Sequence, residues 1–222
     1  MITELTRMWL TRSTKPFLFK KEYDQELPFS DCDGLGLYVH IPFCRSICSF
    51  CPYCKTLYSE EACSRYIDAL IREIHLAGSQ IPGKKIVTSL YFGGGTPALA
   101  ADRIKEIIDA IQEHFIITQG IGIELHPENI TPRTLHILKE AGITKLSIGI
   151  QSFQEKFQKL LGRTGADMDS LKAALSQVPF ETVSMDFIFA LPSQTFGDLK
   201  ADVDAAFEAG ANHVALYPFI DF

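Results

Sequence analysis

Two hydrophobic periods alternate along this chain. Short apolar runs, rich in β-branched and aromatic residues, read as strands at Gly36–Ile41, Ile86–Phe92, Gly122–Leu125, Lys145–Ile150, Thr182–Phe189 and Asn212–Tyr217. Longer stretches between them carry apolar residues at helical spacing. One stripe is Tyr66, Ile67, Leu70, Ile71 and Ile74; another is Ile104, Ile107, Ile108, Ile111 and Phe115. Ser59, Asp102 and Thr195 stand where helix N-caps belong, and Thr131-Pro132 is a cap followed by proline at the first helical position. Gly142 and Gly210 stand where helices end. A further helical stretch is broken near Gly162–Gly165. Leu138–Ile148 and Ala206–Leu216 echo one another as helix end, Ala-Gly, strand.

Strands alternating with helices predict an α/β fold: a parallel sheet with outer helices, curled by right-handed crossovers into a full or partial (β/α)6 TIM-like barrel. Residues 1–34, irregular and punctuated by Pro16, Pro28 and Gly34, read as an N-terminal arm before a core at 35–222. Chemistry in such folds collects at the C-terminal strand ends, and every unusual motif here falls there.

Composition narrows the picture. The chain has 222 residues, 46% of them hydrophobic, enough for a sizeable core. A net charge of −6 without blocks of like charge argues against nonspecific binding to nucleic acid or anionic membrane. No long apolar stretch predicts a membrane span or signal peptide. Six cysteines, four of them clustered, suit a reducing cytoplasm and a metal site.

Cys44, Cys48, Cys51 and Cys54 lie within eleven residues, the first three as C-x3-C-x2-C. A loop that offers three thiolates to a [4Fe–4S] cube, which takes four ligands, leaves one iron open. The x2 spacings also suit zinc, although Cys63 is the single later cysteine and falls in a predicted helix. Gly93-Gly94-Gly95-Thr96-Pro97 follows the second strand; its glycines permit close backbone approach and offer bare N–H groups, without the Lys-Ser/Thr of a phosphate-binding P-loop. Later strand ends contribute Glu124, Gln151, Arg163 and Asp186. Together these suit a polar, zwitterionic cofactor beside a nucleoside. His40, within the first strand and next to apolar residues, reads as a satisfied core histidine, and Cys32 and Cys63 as bystanders.

The motifs YVHIPFC, GGGTP, IELHP, SIGIQSF, LLGRT and MDFIFALPSQT, running from Tyr38 to the chain end, resemble the radical S-adenosylmethionine (SAM) superfamily. The resemblance is to the branch of oxygen-independent coproporphyrinogen III oxidase, with heme chaperones and class C radical SAM methyltransferases. It implies a cluster on Cys44, Cys48 and Cys51 and reductive cleavage of SAM to a 5′-deoxyadenosyl radical. Position by position, it implies that Tyr38, Gly94 and Glu124 contact one SAM. Phe50, Gly95, Thr96, Gln151, Arg163 and Asp186 match the positions that contact a second. It also implies a small-molecule substrate such as a porphyrinogen and an electron donor such as flavodoxin or ferredoxin. Cys54 stands one residue later than the family's next cysteine, and Pro218 replaces an alanine. The family continues into a C-terminal domain past the sixth strand, so the chain reads as lacking it. The 43 residues before Cys44 exceed the usual arm of the chaperones.

Overall fold

A computed structural model describes residues 32–163 and 167–220. The arm expected at 1–34 falls almost wholly outside them. The strands are β1 (Leu35–Ile41), β2 (Phe43–Cys44), β3 (Thr56–Leu57), β4 (Lys85–Gly94), β5 (Phe115–Ile117), β6 (Ile121–Leu125), β7 (Ile143–Gln151), β8 (Thr182–Phe189) and β9 (His213–Pro218). The helices are α1 (Glu60–Ser79), α2 (Ala101–His114), α3 (Pro132–Glu140), α4 (Glu155–Leu160), α5 (Met168–Gln177) and α6 (Phe196–Glu208).

All pairings are parallel, in the order β1-β4-β6-β7-β8-β9, with β5 also on β4. The ends of this order, β1 and β9, do not pair, so the barrel is partial. Two ladders went unread in the sequence. Strand β5 pairs with the start of β4 and β6 with its end, so they share one edge of β4 in succession. The two-residue pair β2–β3 closes the base of the cysteine loop.

Most expected caps are present. Ser59 accepts from the Ala62 amide, Thr131 from Thr134, and Thr195 from Asp198 in a capping box. Gly142 and Gly210 take left-handed φ values of 97° and 103°, which explains the repeated Ala-Gly at two helix ends. Asp102 is not a cap. Pro97 starts a 3-10 turn, Pro97–Ala100, that runs directly into α2, so Asp102 sits within the first helical turn, where its charge favours the dipole.

The sheet departs from the usual parallel pattern of apolar residues on both faces. Val39, Ile41, Leu90, Phe92, Ile123, Leu146, Ile148 and Phe187 are buried in one cluster with Ile67, Ile104, Ile107, Leu135, Leu171 and Ala206 of the helices. The alternate positions carry Tyr38, Tyr91, Glu124, Ser147, Gln151 and Asp186. One face therefore builds the core, and the other is a polar concave surface.

A buried polar clamp fixes the end of β7. Asp202 of α6, 1% exposed, accepts from the Ser152 hydroxyl at 2.7 Å and the Phe153 amide at 2.9 Å. Burial pushes the Asp202 carboxyl up, and these bonds oppose it. Asp202→Ala orphans both donors, and a loss of about 2–4 kcal/mol is expected in urea unfolding, against about 1 kcal/mol for Ser152→Ala. Equal, small losses would show that the clamp does not hold this corner.

Candidate functional site

The cysteine loop is fastened at its base by backbone contacts. The Thr56 amide donates to the Pro42 carbonyl at 2.8 Å and the Tyr58 amide to Cys44 at 2.9 Å. Phe43 is buried edge-on against Tyr58 and Tyr66, and the Tyr66 hydroxyl donates to the His40 carbonyl at 2.7 Å. From β4, the Gly95 amide reaches the Ile41 carbonyl at 2.9 Å and the Thr96 amide reaches Phe43 at 2.7 Å. A Cβ on Gly95 would stand 2.6 Å from the Phe43 carbonyl oxygen and 2.7 Å from Pro42 backbone atoms. Only glycine lets the two loops meet.

This corrects the reading of Gly93–Gly95 as a source of bare N–H groups. The Gly94 amide donates to Glu124 Oε2 at 3.1 Å, and the next two amides hold the cysteine loop. The glycines serve close approach: Gly94 has φ 127°, and Gly93 lies under the Tyr38 ring.

An open cavity of about 350 Å³ occupies the C-terminal strand ends. Cys44, Cys48, Cys51, Phe50, Gly94, Gly95, Thr96, Glu124, Gln151, Arg163 and Asp186 all line it. Tyr38 does not; it is 59% exposed and stacked on Tyr91. Cys54 is also absent from the lining. His40 Nε2 lies 3.0 Å from the Cys54 carbonyl, which can only accept, so Nε2 carries the proton and Nδ1 accepts from the Tyr38 hydroxyl at 3.4 Å. His40 is thus satisfied as expected, but it is half-buried and lies outside the core. Cys63 is buried on α1 and Cys32 is exposed, both away from the cavity.

The cavity holds charges with incomplete partners. Burial pushes Glu124 up, the Gly94 bond opposes this, and nearby Asp186 adds to it. Burial also pushes Asp186 up, against bonds from Ser147 at 2.5 Å and Ser184 at 3.1 Å. Two desolvated carboxylates on one surface favour a cationic ligand. In the same cavity, burial lowers Arg163, with the cysteines, Cys48 first among them, opposing. Its Nη2 donates to the Gly149 carbonyl at 2.9 Å, but its buried Nε has no partner. A guanidinium beside three cysteines favours an anionic group there. Burial, with the neighbouring cysteines adding to it, raises the Cys44 and Cys48 thiols against Thr96, Lys55 and Arg163, so a bound cation favours them as thiolates. Gln151 takes φ 70° at an irregularity in the β7–β8 register, a left-handed conformation uncommon outside glycine that turns its amide into the cavity.

Sequence reasoning passed over His126, Glu128, Tyr53, Lys55 and Tyr217, all in the lining. Strand register could have found Tyr217, and the spacing of the cysteines could have pointed to Tyr53 and Lys55, which share their loop. The Lys55 ammonium bonds the Cys51 carbonyl and so braces the loop from within. His126 Nδ1 accepts from the Glu128 amide at 3.3 Å.

Burial, reinforced by Arg163, lowers His126 from 6.5 to about 4. Between these values the unfolded chain binds the extra proton, so stability falls as pH drops from about 6.5 to about 4 and levels off below. Asn in its place keeps an acceptor for the amide and does not titrate. His126→Asn should remove roughly 1–3 kcal/mol of this acid sensitivity in iron-free protein, read by urea unfolding across that range. An unchanged pH slope would contradict the assignment.

Comparison with known proteins agrees with this architecture. The chain is 33% identical over 189 residues to the heme chaperone HemW of Lactococcus lactis, a match covering 82% of this chain and 48% of that protein. It is 35% identical over 187 residues to the anaerobilin synthase of Escherichia coli O157:H7, covering 82% and 42%. The crystal structure of coproporphyrinogen III oxidase (HemN) from Escherichia coli, described as a radical SAM enzyme, superposes with a TM-score of 0.77 at 29% identity, over 86% of this chain and 45% of that one. The chain thus spans about half the length of the curated relatives it matches. The sequence profile of the radical SAM superfamily matches residues 38–206. With that match over most of the chain, and a parallel half-barrel that carries its cysteine loop at the strand ends, the chain belongs to the radical SAM superfamily.

Proposed function

We propose that this chain is the SAM-cleaving core of a radical SAM enzyme acting on a tetrapyrrole, in the manner of coproporphyrinogen III oxidase. The observation that carries the reading is the grouping of charge in one cavity: three cysteines beside a buried guanidinium, together with two desolvated carboxylates.

Superfamily membership brings a [4Fe–4S] cluster and SAM as cofactors. Cys44, Cys48 and Cys51 would hold the cluster, which, fed by an outside electron donor such as flavodoxin or ferredoxin, would supply the one-electron chemistry that cleaves SAM to a 5′-deoxyadenosyl radical. The protein's part is to orient and to exclude water. Glu124 accepts the SAM ammonium, and the cation relieves the burial that raises its carboxyl. Gly94 leaves room at the same strand end, and Tyr38 walls the concave face beside it. Asp186, already oriented by Ser147 and Ser184, accepts ribose hydroxyls of a second SAM. Gln151 and Arg163 flank that molecule, with Phe50, Gly95 and Thr96 at the loop side. Gly95 contributes the lack of a side chain, since its amide is engaged with Ile41.

The tetrapyrrole assignment draws on the names of the relatives, and the chain spans only about half their length. A second reading, a heme chaperone, is favoured by the matches to proteins named HemW, five of which reach at least 30% identity with coverage of 82–83% of this chain. Coproporphyrinogen consumption coupled to SAM cleavage supports the enzyme; stoichiometric hemin binding without turnover supports the chaperone.

Anaerobically reconstituted protein with dithionite should form 5′-deoxyadenosine from SAM, and Cys48→Ala should lose both cluster absorbance and product. Glu124→Gln should slow cleavage about tenfold or more. Asp186→Asn should retain cleavage and lose a second SAM equivalent in equilibrium dialysis. Wild-type cleavage by Cys48→Ala would overturn the ligand set, and equal loss of cleavage in both carboxylate variants would replace two SAM sites by one.

A further inference from the structure

A second cluster of metal-ligating side chains lies outside the cavity. His75 sits one turn before the end of α1, and Glu113 and His114 are the last two residues of α2. His75 Nδ1 is 3.0 Å from His114 Nε2 and 3.7 Å from Glu113 Oε2, and the three ligand atoms all lie within 4.8 Å of one another. We propose that His75, Glu113 and His114 form a binding site for a divalent transition-metal ion of the zinc class, stapling the ends of α1 and α2.

Two ring nitrogens this close need a positive centre between them, either one shared proton or a metal ion. A tetrahedral ion with metal–nitrogen bonds of about 2.0–2.1 Å spaces its nitrogens about 3.3 Å apart. The imidazoles are therefore within a few tenths of an ångström of chelating spacing. Imidazole with one carboxylate suits zinc, nickel or copper over magnesium or calcium.

Two further observations support a built site. Gly78 of α1 is buried beneath the His114 ring, and a Cβ there would stand 2.1 Å from His114 Cγ. A glycine inside a helix costs roughly 0.5–1 kcal/mol relative to alanine, and here it admits the ring against the α1 backbone, facing His75. The helices also end together. Their C-terminal dipoles favour a cation, and α1 has no basic residue in its last turn. Glu113 is exposed enough to swing onto the ion.

The ion would sit at the opposite end of the sheet from the cavity, because β5 starts immediately after His114 and β4 six residues after Ser79. Its role is then structural. Helix α1 follows the cysteine loop directly and carries Tyr66, which braces that loop, so the staple stiffens the support beneath it.

Zinc retained after gel filtration of the full chain, at about 0.1 mM Zn²⁺, tests the site by difference. Because the cavity cysteines also bind zinc, the double variant His75→Gln, His114→Gln should hold one ion fewer than wild type. Zinc at a hundredfold excess over its Kd should raise the wild-type Tm by roughly 5–10 °C more than that of the double variant. Glu113→Gln, altered at an exposed position and folded as wild type, should weaken this site about tenfold or more. Equal zinc content in wild type and double variant, or unchanged affinity in Glu113→Gln, would overturn the proposal.

Discussion

The functional end of this protein depends on one close approach of backbone to backbone. Gly95 lies against Pro42 and Phe43 with no room for a Cβ, and its amide and that of Thr96 bond the chain on either side of Pro42. That contact locks the loop after β4 onto the loop after β1. It sets where Cys44 emerges, because Phe43 is buried between Tyr58 and Tyr66 while its neighbour faces the cavity. The β2–β3 pair and the Lys55 contact to Cys51 then carry the geometry around the loop. Cys54 is turned out by the same frame, since His40 holds its carbonyl.

The second condition is an unusual division of the sheet. A parallel sheet normally hides both faces, but here one face is left polar because the order of strands does not close on itself. The α side of the sheet supplies the core. The concave side can then hold Glu124 and Asp186 partly desolvated, at a cost that a cation would recover on binding. Arg163 is held in the same way with one nitrogen unmet. The cavity is a set of unsatisfied charges made tolerable by a well-packed opposite face and by clamps such as Asp202 on Ser152 and Phe153.

Much of this was legible in the residues. The strand and helix periods, the caps at Ser59, Thr131 and Thr195, and the Ala-Gly helix ends all follow local chemistry, and the structure has them. Cys44, Cys48, Cys51, Glu124, Gln151, Arg163 and Asp186 were found as strand-end residues, and they share one cavity. What was hidden depends on contacts distant in sequence. Nothing local says that the Gly95 and Thr96 amides bond a loop about fifty residues earlier, which is why the glycines alone suggest bare N–H groups. Nor does sequence show that Pro97 starts a 3-10 turn that moves the helix start ahead of Asp102. Tyr38 shares the concave face but stacks on Tyr91, outside the cavity lining. Tyr217 needed strand register to be placed in the cavity, and His126, although inside the IELHP motif, is placed there by the turn after β6.

On the proposed function, the loop's frame presents three cysteines and withholds the fourth, so that one iron of a cluster would stay open to SAM. EPR spectra of the reduced, reconstituted wild-type protein, recorded with and without SAM, test this most directly. The cluster signal is expected to shift on SAM addition in the wild type and to shift the same way in Cys54→Ala. A signal that ignores SAM in the wild type and responds only in Cys54→Ala would contradict it, because Cys54 would then be the fourth ligand.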